Sequence, residues 1–133
     1  MVRKHGKLWE KVISDENLEL AFERAKKGKS KYSAVQIFEK NRKANLKKIK
    51  DSLINKTFKT SEYQQKQVYE PKERTIYILP FFPDRIVQHA LINVLEPIWV
   101  DMFIKDSYAC IKYRGIHTAS KKTTEFIRKN KYC

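Results

Sequence analysis

The chain is poor in the residues that build disulfide or metal scaffolds. Its two cysteines, Cys110 and Cys133, have no Cys-x-x-Cys spacing, so neither a disulfide framework nor a thiolate zinc site is supported. The three histidines, His5, His89 and His117, are scattered rather than set at the short spacings that metal ligands need. Only three glycines occur and none are grouped, which excludes a glycine-rich phosphate loop. No apolar run reaches the roughly 20 residues that span a bilayer. The charged segment from Met1 to Lys11 is not followed by the apolar stretch of a signal peptide. A cytoplasmic location without membrane association is therefore expected.

Acidic residues are the other shortage. Asp and Glu total 15 against 29 Lys and Arg, a formal net charge of +14 and a pI near 9.8. A surplus of that size sets up a long-range positive potential that draws polyanions, so nucleic acid is the first partner to consider and an anionic membrane surface the second. At 133 residues the chain has the length of one domain with a modest core. The carboxylates that are present form no catalytic constellation. Asp84, Asp101 and Asp106 fall at helix ends or in loops, where capping and solvation account for them. His89, inside an apolar helix, reads as a buried or boundary histidine rather than a base.

Hydrophobic spacing outlines the elements. "SDENLELAFERAKKGK" places Ser14 or Asp15 as an N-cap, Leu18, Ala21, Phe22 and Ala25 at helical intervals, and Gly28 as a stop. After the polar linker "KGKSKYS" a second helix is expected from about Ala34 to Asn55. Phe38, Leu46, Ile49 and Leu53 would face inward, and Lys43, Lys47, Lys48 and Lys50 would form an outward basic ridge. "QVYE" and "TIYIL", parted by "PKER", read as a β-hairpin. Pro80 and Pro83 end its second strand, and Asp84 caps the apolar helix "RIVQHALINVLEPIW", expected at the centre of the core and ended or kinked by Pro97. "IKDSYACIKYRGIH" reads as a loop or short extended segment before a final helix beginning near Thr118. The fold class is α+β, with helices packed on a small antiparallel sheet.

Three groups of basic residues carry most of the functional information. Lys72 and Arg74, on the hairpin tip, can converge on one phosphate, lysine as a point charge and arginine as a planar fork; the alternative is a solubilising turn. Arg85 sits at a helix start, where the dipole disfavours a cation, and it either pairs with a nearby acid or meets a ligand. In "SYACIKYRGIH", Tyr108 and Tyr113 interleave with Lys112 and Arg114 beside Gly115. That composition suits a nucleic-acid strand, with rings stacking on bases and cations meeting phosphates. A loop anchored by two buried tyrosines explains it equally well.

The order of these elements brings in a family. "YEPKERTIYILPFFPDRIVQHALINVLEPIWVDMFIKDSYACIKYRGIHTA", Tyr69 to Ala119, resembles the first two sequence blocks of bacterial reverse transcriptases, the group containing group II intron, retron and diversity-generating retroelement enzymes. The anchors are "PK" then "R", an alternating strand ending in proline, "DR" with "VQHAL", "LEP" followed by "F", and "SYA" leading to "RG", "H" and "A". The resemblance implies the fingers subdomain and the start of the palm of a right-hand polymerase. Lys72 and Arg74 then match the hairpin residues that grip the triphosphate of the incoming deoxynucleotide. Asp84 and Arg85 match the pair that fixes the corner before the helix, with Arg85 towards the template. Arg114 and Gly115, with Lys112 and Tyr113 beside them, match the block that lies along the template strand. This chain departs from the pattern at Ile111, where many relatives carry arginine, at Tyr113, where many carry glycine, and at a short hairpin tip without glycine.

The palm aspartates that hold two magnesium ions in this family are not among its residues, and "EFIRKNKYC" falls close to where the first of their strands should begin. The resemblance therefore implies an N-terminal fingers fragment of an RNA-directed DNA polymerase, a single domain with a helical extension over about 1–60 and fingers plus the start of the palm over about 61–133. It would carry no catalytic or metal-binding residue and be inactive alone. The intact enzyme would use magnesium, an RNA template, a DNA or RNA primer, deoxynucleotides and the palm and thumb. The apolar helix from Arg85 to Glu96 would normally pack against palm elements, so an exposed apolar patch there and self-association are expected of such a piece. A non-catalytic RNA-binding or maturase-like module is the second reading, and a basic domain for an acidic protein partner the third.

Overall fold

Ser14 stands in extended backbone, and its hydroxyl oxygen accepts the amide of Asn17 at 3.2 Å, so the expected N-cap forms. The protein is described by a computed structural model covering residues 4–132. A short helix α1 (Leu8–Val12) precedes that cap, and the cap opens α2 (Asp15–Lys26). Then come α3 (Ser33–Lys40), α4 (Arg42–Ile54), the strands β1 (Gln64–Val68) and β2 (Arg74–Ile78), a corner at Phe81–Arg85, α5 (Ile86–Met102) and α6 (Ile116–Lys129). Among the described residues the fold is α+β, with six helices and a two-stranded antiparallel sheet. No described helix is long and apolar enough to cross a membrane.

Two compact units divide the chain, Met1–Leu95 and Glu96–Cys133, with the division falling inside α5. The first has a helical core. Leu18, Ala21, Phe22 and Ala25 of α2, Phe38 of α3, Leu46, Ile49 and Leu53 of α4, and Ile86, Val87 and Ala90 of α5 are buried together. Phe22 stacks on Phe38 at 5.1 Å between ring centroids, and Phe81 meets both rings edge-on. The guanidinium of Arg42 lies over the Phe22 ring at 4.6 Å while pairing with Glu19 and with Glu23, the latter at 2.8 Å. A polar staple joins α5 to the amino-terminal helices. The Asn17 side-chain amide donates to the carbonyls of Val12 and Ala90, and Asn93 donates to Asn17 Oδ1. Gly28 ends the α2 region at φ 73, a left-handed conformation open to glycine without penalty.

Several expectations need correction. The helix expected from Ala34 to Asn55 is two helices, broken at Asn41 (φ −122, ψ 37), where the Asn45 side chain donates to the Phe38 carbonyl. Asparagine competes for backbone hydrogen bonds, and one such residue suffices to end α3. The apolar helix is central to the core only through its first turns, since Leu91 and Val94 are half-buried and Trp99 and Met102 are exposed. Pro97 does not end it: α5 runs on to Met102 with the proline inside the helix. Nor do helices pack on the sheet as a floor. Every residue of β2 is exposed, and so is β1 apart from the half-buried Val68, so the hairpin is a ribbon with two solvated faces.

The second unit has a different character. No residue from Glu96 to Tyr132 is buried. In α6 the apolar Ile116, Phe126 and Ile127 are all exposed. A segment of this length with no buried side chain lacks the hydrophobic burial that stabilises an independent domain.

Candidate nucleic-acid interface

The hairpin places its basic residues at one end. Gln64 pairs with Ile78 and Val68 with Arg74, so the ladder closes at Arg74 and leaves Tyr69 to Glu73 as the connecting loop. Lys72 lies in that loop and Arg74 opens the returning strand. Both are exposed, and neither makes an ion pair among the described residues, although Glu70 and Glu73 are close in sequence. Arg74 Nη2 donates weakly, at 3.4 Å, to the Glu70 carbonyl, which bends the guanidinium back over the loop. Two cations on a narrow, solvated ribbon are free to approach a phosphate without first breaking a salt bridge.

Asp84 is not a surface cap. It is 1 % exposed, and its Oδ1 accepts the Ser61 amide at 3.0 Å, while its Oδ2 has no protein partner. That bond ties the segment leading into β1 to the corner that follows β2, so the carboxylate fixes the base of the hairpin. Phe82 breaks the helical geometry of the corner with φ −120 and ψ 133. Arg85, the next residue after Asp84, is exposed and has no ion pair among the described residues, so the pairing alternative for it does not hold.

His89 lies one turn beyond Arg85 and is half-buried. Burial lowers its pKa from 6.5, and the positive charges of Arg85, Lys29 and Arg24 lower it further. The folded chain therefore takes up this proton at lower pH than the unfolded chain does. Stability should be full above about pH 6.5 and should fall as the pH drops below it, until folded His89 is itself protonated. Urea melts between about pH 7 and 5 should show that loss, and His89→Gln should reduce it; a slope unchanged by the substitution would contradict it.

In the second unit the loop from Tyr108 to Gly115 is irregular. Ile111 and Arg114 form an isolated bridge, and the Arg114 amide donates to the Ile111 carbonyl at 3.0 Å. Arg114 Nη1 donates to the Lys105 carbonyl at 3.4 Å, and Tyr108 donates to Asp106 at 3.0 Å. The two tyrosines do not anchor the loop as a buried pair: Tyr108 is half-buried, but Tyr113 is 86 % exposed with the Lys112 ammonium 5.0 Å from its ring centroid. Tyr113 also has φ 65, the left-handed region where glycine is at home. Gly115 precedes α6 in extended backbone, and its carbonyl accepts from Thr118 and Ala119.

The structure therefore groups Lys72 with Arg74 on the hairpin, and Lys112 with Tyr113, Arg114 and Gly115 on the second unit's loop. Arg85 belongs with neither group. It lines a cleft of about 580 Å³ together with Lys29 and Tyr32, from the linker before α3, and Lys66, which precedes the strand expected from Gln67. The signal available for them was "KSKY", which interleaves lysine and tyrosine much as "IKYR" does. No three His, Cys, Asp or Glu side chains gather to hold a metal among the described residues. No protein-family model matches the chain, and no curated protein matches it.

Proposed function

We propose that this chain is the fingers portion of an RNA-directed DNA polymerase of the bacterial reverse-transcriptase type, binding template RNA and the incoming deoxynucleotide. The observation that supports it most is the hairpin: an unpaired Lys72 and Arg74 at the end of a solvated ribbon, mounted on a corner held by Asp84. The net charge of +14 adds the long-range attraction that such ligands require. Lys72 and Arg74 would meet the triphosphate, and Arg85 with Lys112, Tyr113, Arg114 and Gly115 would lie along the template. Palm and thumb elements, a primer and magnesium would complete the enzyme, and this chain alone would bind without polymerising.

Replacing both Lys72 and Arg74 with alanine should weaken deoxynucleotide triphosphate binding about tenfold or more, the scale of losing one or two charge-assisted hydrogen bonds. Both side chains are exposed, so thermal stability should not change. Unaltered nucleotide affinity, measured by calorimetric titration, would remove the hairpin from the nucleotide site. Tight binding to one structured RNA with no response to the hairpin variant would favour the non-catalytic RNA-binding module.

Ile116, Phe126 and Ile127, together with Met102, Phe103 and Ile104, expose apolar surface in the second unit. Light scattering should find a mass that rises with protein concentration. A monomer at every concentration would count against self-association through this surface.

A further inference from the structure

Three clefts among the described residues of the first unit carry carboxylates among their lining residues. Asp15, Glu19 and Asp51 line the cleft between α2 and α4, Glu10 and Glu16 line the one beside α1, and Glu23 lines the one at the end of α2. Another, of about 580 Å³, lies between the start of α3 and the base of the hairpin and has none. Its charges are all positive: Lys29 from the α2–α3 loop, Lys66 from β1 and Arg85 from the corner.

Strand register sorts its walls. Lys66 stands opposite Ile76, so these two share a face of the hairpin, and Ile78 lies on it two residues further along. Ile76 and Ile78 are 39 % and 41 % exposed, an apolar floor in contact with solvent. Tyr77 also lines the cleft, but by register its side chain belongs to the opposite face, where its ring meets that of Tyr63 at 6.2 Å. The free ring on the cleft side is Tyr32, 64 % exposed at the boundary of the loop and α3. The α3 N-terminus has no side-chain cap, so its first amides add to the positive end of the cleft.

We propose that this cleft binds a single nucleic-acid strand, with one base stacked on Tyr32 over the Ile76–Ile78 floor and the flanking phosphates on Lys29, Lys66 and Arg85. Open aromatic surface, an apolar floor and cations without counter-charges are the chemistry of single-strand grooves. A duplex keeps its bases stacked on one another and offers Tyr32 no free face. The depressed titration of His89 agrees with the placement, because Lys29 and Arg85 contribute to it together with Arg24. The site goes beyond the polymerase reading: it shares Arg85 with that reading but needs neither the hairpin tip nor a polymerase.

The test is fluorescence anisotropy on the full chain with labelled single-stranded RNA, single-stranded DNA of the same sequence, and a blunt RNA duplex. Tyr32→Ala should weaken binding of a single strand at least about fivefold while leaving duplex affinity within about twofold. Lys29→Ala should flatten the logarithmic salt dependence of single-strand binding by about 0.7. Tyr63→Ala, on the other face of the hairpin, should change nothing. A Tyr32-dependent loss with either strand supports the site, and the tighter of the two identifies the natural ligand. Equal loss for strand and duplex, or no loss with Tyr32→Ala, overturns it. If the hairpin variant leaves nucleotide binding intact while Tyr32→Ala still weakens the strand, the cleft stands and the polymerase reading falls.

Discussion

Raising salt fourfold, from about 50 to 200 mM, should weaken binding of single-stranded RNA about a hundredfold. The number follows from the cations of the hairpin and the cleft beside it. Lys29, Lys66, Lys72, Arg74 and Arg85 are free of ion pairs among the described residues. If each neutralises one phosphate, the logarithmic slope is about −3.5, at roughly 0.7 per phosphate for a single strand. Lys26, Arg42 and Lys50 are already committed: Lys26 to Glu39, Arg42 to Glu19 and Glu23, and Lys50 to Asp15 at 2.7 Å. These pairs are partly exposed and contribute little to stability, but they take charge out of play for a ligand. A slope near zero in a salt titration would mean that phosphates are not what the chain binds. It would favour an uncharged or protein partner instead.

Phe22→Ala should cost about 3–5 kcal/mol, a large part of the 5–15 kcal/mol that holds a typical domain folded. Phe22 has no exposed surface, stacks on Phe38, meets Phe81 edge-on and carries the Arg42 guanidinium on its face. Truncation therefore leaves a cavity at the junction of α2, α3, α4 and the corner, and loosens the mount of the hairpin along with the core. Urea unfolding should show the midpoint falling steeply, with Tyr63→Ala as an exposed aromatic control close to the parent. A loss below about 1 kcal/mol would mean that the aromatic cluster is not the keystone of the first unit.

What the sequence makes legible follows from how many independent signals agree at one place. In α2 the cap at Ser14, the spacing of Leu18, Ala21, Phe22 and Ala25, and the stop at Gly28 all point the same way, and all three form. The break between α3 and α4 has only Asn41 to announce it, inside a run of good helix formers. The first strand begins earlier than the hydrophobic pattern suggests because "QQKQ" has both faces in water, which leaves no alternation to read. Asp84 has the sequence signature of a cap, and nothing nearby announces its burial, which depends on a partner, the Ser61 amide, 23 positions away. The hairpin loop with Lys72 and Arg74 is visible because one short stretch holds it. The cleft is not, because Lys29, Tyr32, Lys66 and Arg85 come from separate segments and meet only once α3, the hairpin and the corner are in place.

Whether the hairpin grips a triphosphate, as proposed, is decided by amide chemical shifts of the isotope-labelled chain. Titration with a deoxynucleotide triphosphate and magnesium should move the amides of Lys72, Glu73, Arg74 and Thr75 first, with inorganic triphosphate reproducing the response and the nucleoside alone failing to. Shifts spread evenly over the lysines of α4 and α6, or none in the hairpin, would show only diffuse attraction of an anion to a basic protein and would contradict the fingers assignment.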